Sequence, residues 1–284
     1  MYVFAKLVKY EFSFFRFGGG GLGNHLFPWA RSVVAAEKYG LKSIEPTWFG
    51  IRVGSIIRKE SDLRFYGDLF INQNSSICGF KKFLLLIFFK KISEIDLGGK
   101  WRQKNSIAVF SGMSGLFQPI LYNHRFVYEQ LIRMTSPEYL KGLTYDFKNT
   151  ISLHVRLGDF KVGKQETAIA WFVDIVNLMR NKSGLNLKVC IFSDGTDIEL
   201  TRLLELENSC RLEFGSSIAD LLALSRSYIL VGSKGSTFSM WASYLGRMPV
   251  IWPVGGLTQR LYFDNFFNEI ESDGQSVPQK FFHL

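Results

Sequence analysis

The sequence predicts an α/β protein of two domains, and three observations carry that expectation. From residue 151 onward, short apolar runs that end in Gly, Ser or Asp alternate with segments of helical periodicity. That is the pattern of parallel strands joined by crossover helices. Near the amino terminus a glycine run, Gly18–Gly21, opens into a helical stretch. Charge also divides the 284 residues: positions 1–145 hold 20 Lys+Arg against 10 Asp+Glu, a net of +10, whereas 146–284 hold 14 against 15. A chain of this length suits two domains of ordinary size. The expected boundary lies near 140–150, giving domains 1–145 and 146–284.

Taken in order, Glu11–Phe17 alternates and is rich in aromatics, which predicts the first central strand. A helix over Leu26–Tyr39 follows the glycine run and is closed by Gly40. A strand is expected at 106–110 and a helix at 123–134, with Pro137 and Gly142 as punctuation. The second half predicts strands at 151–157, 187–192, 212–214, 227–232 and 249–253, the last closing the sheet. Helices are expected between them at about 167–179, 198–206, 218–225 and 237–244.

Composition removes several classes of function. No run approaches the ~18–20 apolar residues of a membrane-spanning helix. The start of the chain lacks a secretory leader pattern, so the expected location is cytoplasmic. Three widely spaced cysteines, Cys78, Cys190 and Cys210, make neither a disulfide framework nor a zinc site. No nucleic-acid motif accompanies the positive charge. An anionic membrane face is the favoured acidic partner for the basic half, because Lys81, Lys82, Lys90 and Lys91 bracket the apolar run Phe83–Phe89. The plainer reading is a solvated basic face with that run in the core.

The chemistry centres on Ile151-Ser-Leu-His154-Val-Arg156-Leu-Gly158-Asp159. A buried strand there would bring His154, Arg156 and Asp159 to its carboxyl end, where α/β sheets bind ligands. Arginine suits a phosphate because its planar fork grips two oxygens. An Arg–Asp pair tying off the strand is the structural alternative. Asp194, Ser236 and Thr237 follow two other predicted strands and fall at the same edge. At the amino terminus, glycines at 18, 20 and 23 satisfy the dinucleotide fingerprint G-x-G-x-x-G, with Glu45 after a second strand. A run of glycines satisfies that pattern almost automatically.

Four stretches together resemble the fucosyltransferase superfamily, most closely the α-1,2-fucosyltransferases of glycosyltransferase family 11. Gly20-Gly-Leu-Gly-Asn24-His25-Leu-Phe27 resembles G-G-L-G-N-Q-[LM]-F, and His154-Val-Arg156-Leu-Gly-Asp159 resembles H-x-R-R-G-D. Ile191-Phe-Ser-Asp194 and Ser236-Thr-Phe-Ser-Met-Trp241 resemble F-S-D-D and S-S-[FT]-S-W-W, in the same order. Leu157 stands in place of the second arginine, and His25 in place of the glutamine. The resemblance implies a GT-B fold, two facing Rossmann-like domains with the site in the cleft between them. It implies GDP-fucose as donor, a glycan acceptor, inversion at the anomeric carbon, and no metal or other cofactor.

By that resemblance Arg156 holds the donor diphosphate and stabilises departing GDP, while His154 and Asp194 contact the nucleotide. Gly23, Asn24, His25, Ser236 and Thr237 surround the phosphates. Asp159 or Glu166 would take the acceptor proton, with His25 as a third candidate. The linkage expected is α-1,2 on a surface-polysaccharide or O-antigen-type glycan. Three competing readings remain: the same fold with another nucleotide-sugar donor, an NAD-dependent oxidoreductase built on the 18–23 loop, and a non-catalytic carbohydrate- or nucleotide-binding protein.

Overall fold

The structure is a computed structural model. It describes residues 1–51, 65–72, 76–98, 105–158, 160, 166–261 and 269–278. The chain divides into two compact units, Met1–Pro137 and Glu138–Leu284.

In the first unit the central strand is β1 (Tyr2–Lys6), whose Val3, Phe4 and Ala5 are all buried. It lies between β4 (Lys42–Ile44) and β7 (Ser106–Ser111), and β6 (Lys90–Ser93) flanks β7, every pair parallel. Successive side chains face opposite ways. Val3 and Ala108 therefore pack beside Ala35 of α1 (Leu22–Tyr39), while Phe4 and Ile107 pack with Leu85 of α2 (Gly79–Phe88). Gly40 closes α1 in the left-handed region at φ 62°, as its sequence position predicts. Helix α3 (His124–Met134) also forms where expected.

The expected first strand is corrected. Residues 11–17 do not enter the main sheet. They contribute β2 (Tyr10–Glu11) and β3 (Arg16–Phe17) to a small sheet with β5 (Gly50–Ile51). The alternating aromatics there face solvent, with Phe12, Phe14 and Phe17 roughly half exposed.

Arg31 of α1 ties the helix to the carboxyl end of β7. Its guanidinium donates to both oxygens of Glu94, at 2.8 and 3.0 Å, and to the carbonyls of Ser111 and Gly112. The arginine side chain is 3% exposed and that of Glu94 21%. Arg31→Ala should cost about 2–4 kcal/mol, because it strands two carbonyls and most of a desolvated carboxylate. A thermal melt unchanged from the wild type would refute this role for the pair.

The second unit is one six-stranded parallel sheet in the order β10-β9-β8-β11-β12-β13. Its strands are β8 (Thr150–Val155), β9 (Lys188–Ser193), β10 (Ser209–Arg211), β11 (Ile229–Val231), β12 (Val250–Pro253) and β13 (Glu269–Ser272). Helices α4 (Ile169–Ser183), α5 (Asp197–Leu204), α6 (Ser217–Leu224) and α7 (Thr237–Gly246) intervene. Two expectations shift here. The extended segment expected at 212–214 lies at 209–211, and β13 closes the sheet beyond β12.

Numbered along this unit, the strand order is 3-2-1-4-5-6, that of a doubly wound nucleotide-binding sheet. Strand β8 sits at its centre. Ile151, Leu153 and Val155 point into a core with Phe172, Ile175 and Met179, while Ser152 and His154 point to the other face. Cys190 and Cys210 lie opposite each other on β9 and β10 as free thiols, and burial pushes the Cys190 thiol up to about 12.

Candidate active site

In a doubly wound sheet the chain leaves strands one and four in opposite directions, which opens a crevice beyond their carboxyl ends. Here those strands are β8 and β11, and Arg156, Asp194, Ser236 and Thr237 gather at that edge. Arg156 follows β8, and its Nη1 lies 2.6 Å from Oδ2 of Asp194, which follows β9. The other Asp194 oxygen accepts from the backbone N–H of Leu157 at 2.8 Å and of Gly158 at 3.3 Å. One carboxylate thus holds both the guanidinium and the turn that carries it. Gly158 is needed for this approach, because a Cβ there would collide with Asp194 Oδ2.

A second fastening joins the two diverging strands. The Ser233 hydroxyl, just past β11, donates to the His154 carbonyl at 2.7 Å and accepts from the Arg156 N–H at 2.9 Å. Ser193 adds a third tie, donating to the Val155 carbonyl at 2.7 Å. The Arg156 side chain remains 21% exposed, so a ligand oxyanion can reach it.

Ser236 caps α7, its hydroxyl accepting from Ser239 N–H, and Thr237 is the first helical residue. Gly235 makes the preceding turn with φ +64°. No acidic residue occupies the first turn. The positive end of the α7 dipole therefore stands at the same edge as Arg156, and both favour an anion.

His154 is placed behind this edge, 6% exposed. Its Nδ1 lies 2.6 Å from the Ser239 hydroxyl, and its ring stacks on Phe238 at 4.9 Å. Burial, and next the neighbouring Arg156 charge, push its pKa down to about 3. At neutral pH it is an uncharged imidazole that props α7 against β8.

Glu166 is exposed and precedes Thr167, whose hydroxyl accepts from the Lys234 N–H in the loop after β11. Asp159 lies outside the described residues. Leu157 turns into the core at 3% exposure, so the position where the resembling motif has a second arginine presents no charge at this edge.

Gly23, Asn24 and His25 form the start of α1 in the first unit. Gly23 and His25 are buried, and His25 meets the Tyr66 ring edge-on at 5.9 Å. The dinucleotide fingerprint loses its context here. The central strand ends at Lys6, the glycine run begins only at Gly18, and Gly23 already lies within the helix. The strand that runs directly into the glycines is the two-residue β3 of the small sheet, not a strand of the main parallel sheet.

No family model matches the sequence, and no curated protein matches it. Solved structures do match. One is the α-1,6-fucosyltransferase NodZ soaked with GDP-fucose, with a TM-score of 0.56 and 14% identity over 89% of this chain and 94% of that one. Its fold is shared by this chain. A second structure, fucosyltransferase NodZ from Bradyrhizobium, gives a TM-score of 0.53 at 14% identity over 88% of this chain and 94% of its own. A third, POFUT1 in complex with GDP, gives 0.50 at 12% identity over 88% of this chain and 97% of its own. The α/β fold with parallel sheets thus matches structures of the GT-B class expected from the sequence.

Sequence reasoning singled out Arg156 and Asp194, which the structure pairs, but not Ser233, Ser239 or Thr167. Each acts through a partner more than 60 positions away, which local pattern does not show. Among the described residues no group of three or more His, Cys, Asp or Glu is placed to hold a metal ion, and no helix is long and apolar enough to cross a membrane.

Proposed function

We propose that the chain is an inverting glycosyltransferase that moves fucose from GDP-fucose to a hydroxyl of a glycan. The observation that carries this reading is Arg156, held by Asp194 and Ser233 at the switch point opposite the amino end of α7. It lies in a fold shared with a fucosyltransferase structure soaked with GDP-fucose and with POFUT1 in complex with GDP. Glycosyl transfer breaks the bond between the anomeric carbon and the diphosphate oxygen, and the leaving group carries away the electron pair. Arg156 and the α7 amides stabilise that growing charge. The acceptor hydroxyl attacks from the opposite face, and Asp159 or Glu166 takes its proton. In this reading the basic first unit serves the acceptor, with α-1,2 linkage and a surface-polysaccharide-type glycan as the finer assignment.

A thermal-shift series with GDP, GDP-fucose, GDP-mannose, UDP and NAD tests the reading. A ligand present at a hundred times its dissociation constant stabilises the fold by about 2.7 kcal/mol. GDP and GDP-fucose should raise the melting temperature equally with and without EDTA, and NAD should not. A shift with NAD alone would overturn the proposal. The inward Leu157 favours one second reading, a different nucleotide sugar on the same fold. A response confined to UDP or GDP-mannose would select it.

A further inference from the structure

The apolar run at 83–89, bracketed by lysines, takes a form in the structure that the donor site does not use. Helix α2 presents Phe80, Leu84, Ile87 and Phe88 at 69, 37, 54 and 75% exposure. Spacings of four, seven and eight put all four on one face. The opposite face is anchored in the protein by buried Leu85 and Lys82. Next to the helix lies the loop between β2 and β3, where Phe12 and Phe14 are 54 and 55% exposed. Phe14 stacks with Phe83 at 6.2 Å, and Phe12 stacks with Phe15 at 4.9 Å, so helix and loop form one aromatic surface.

That surface is fixed in place. Lys82 Nζ donates to the Thr47 hydroxyl at 2.9 Å, and the same hydroxyl donates to the Phe12 carbonyl at 3.0 Å. A helix cation thereby pins the loop that carries the rings. Single exposed apolar residues are ordinary, but a contiguous cluster on a rigid platform marks an interaction site.

The charges on the helix and at its two ends have one sign. Residues 79–93 contain four lysines and no acid. Lys81, Lys90 and Lys91 are exposed at the two ends of the helix, and Lys9 is exposed at the base of the loop. Of the nearby acids, the Glu11 carboxylate accepts from the Leu7 and Val8 N–H groups, Glu94 is paired with Arg31, and Glu45 faces the buried Lys82 charge, while Asp96 beyond the lysines is exposed. Phenylalanine and leucine on one face with a rim of lysines is the composition of an interfacial membrane surface.

We propose that this face docks on an anionic lipid bilayer. Helix α2 lies in the plane of the surface, the phenylalanine rings enter the boundary between headgroups and acyl chains, and the lysines meet lipid phosphates. The inference stands apart from the identity of the donor.

The test is co-sedimentation of the full chain with phosphatidylcholine vesicles, with and without about 30% phosphatidylglycerol. The wild type should pellet with the anionic vesicles and be released as salt rises from about 0.05 to about 0.5 M. The variant Phe12→Ser/Phe80→Ser/Phe88→Ser changes side chains that are more than half exposed and should melt like the wild type. It should partition roughly tenfold more weakly. Lys81→Glu/Lys90→Glu/Lys91→Glu should lose the preference for anionic lipid. Failure of the wild type to pellet, equal pelleting with neutral vesicles, or unchanged partitioning of the serine variant would each overturn the proposal. Self-association of the wild type without vesicle binding would overturn it in favour of a contact between copies.

Discussion

For the proposed glycosyl transfer, replacing Arg156 with alanine should lower kcat/KM by about 10²–10³ while the melting temperature of the unliganded protein stays close to the wild type. Removing one preorganised donor from a site of developing negative charge costs on the order of 3–4 kcal/mol of transition-state stabilisation. The fold survives because the side chain is a fifth exposed and its partner Asp194 keeps two backbone donors, Leu157 N–H and Gly158 N–H. Arg156→Lys should recover little, since an ammonium cannot span the carboxylate and a diphosphate in one plane. Steady-state kinetics with GDP-fucose check this, and a variant with full turnover would reduce the Arg156–Asp194 pair to a structural tie.

Acidification should destabilise the second unit through His154. Its folded pKa is depressed to about 3 against the ordinary imidazole value of 6.5. The unfolded chain therefore binds a proton that the fold refuses. Stability is fully present above about 6.5 and falls as pH drops from there toward about 3, by about 1.4 kcal/mol per unit. Glu269, in the same unit, opposes part of this. Burial raises its pKa above 4.5, so the fold takes up that proton before the unfolded chain does. Comparison with His154→Gln isolates the histidine. Chemical denaturation of both proteins at pH 7 and pH 5 should show a loss about 2 kcal/mol larger in the wild type. Equal losses would mean that the imidazole is charged in the fold.

The second unit was largely legible because its signals are local. In the sequence strand β8 is apolar, alternating and followed by Gly-Asp, β9 ends at Ser193, and β11 runs into Gly232-Ser233. The shared edge then follows from topology alone. The first unit was misread at its start for an equally physical reason. Alternating aromatics at 11–17 imitate a half-buried strand, but Phe12, Phe14 and Phe17 stay roughly half exposed, whereas the true central strand Tyr2–Lys6 is only five residues long. His154 was legible as a functional residue type but not in its placement. Its neutrality comes from burial and the Arg156 charge, in a setting built partly by Ser239 and Phe238, 85 and 84 positions away.

The Ser233 hydroxyl sits where two neighbouring strands part company, bonded to the chain on either side of Val155. Widening that gap would break both bonds at once, so the mouth of the crevice has essentially one width. A ligand that arrives there meets an arginine whose main chain is already ordered. The loss of backbone freedom falls in the folding of the protein, not in the association step, and more of each contact remains as affinity.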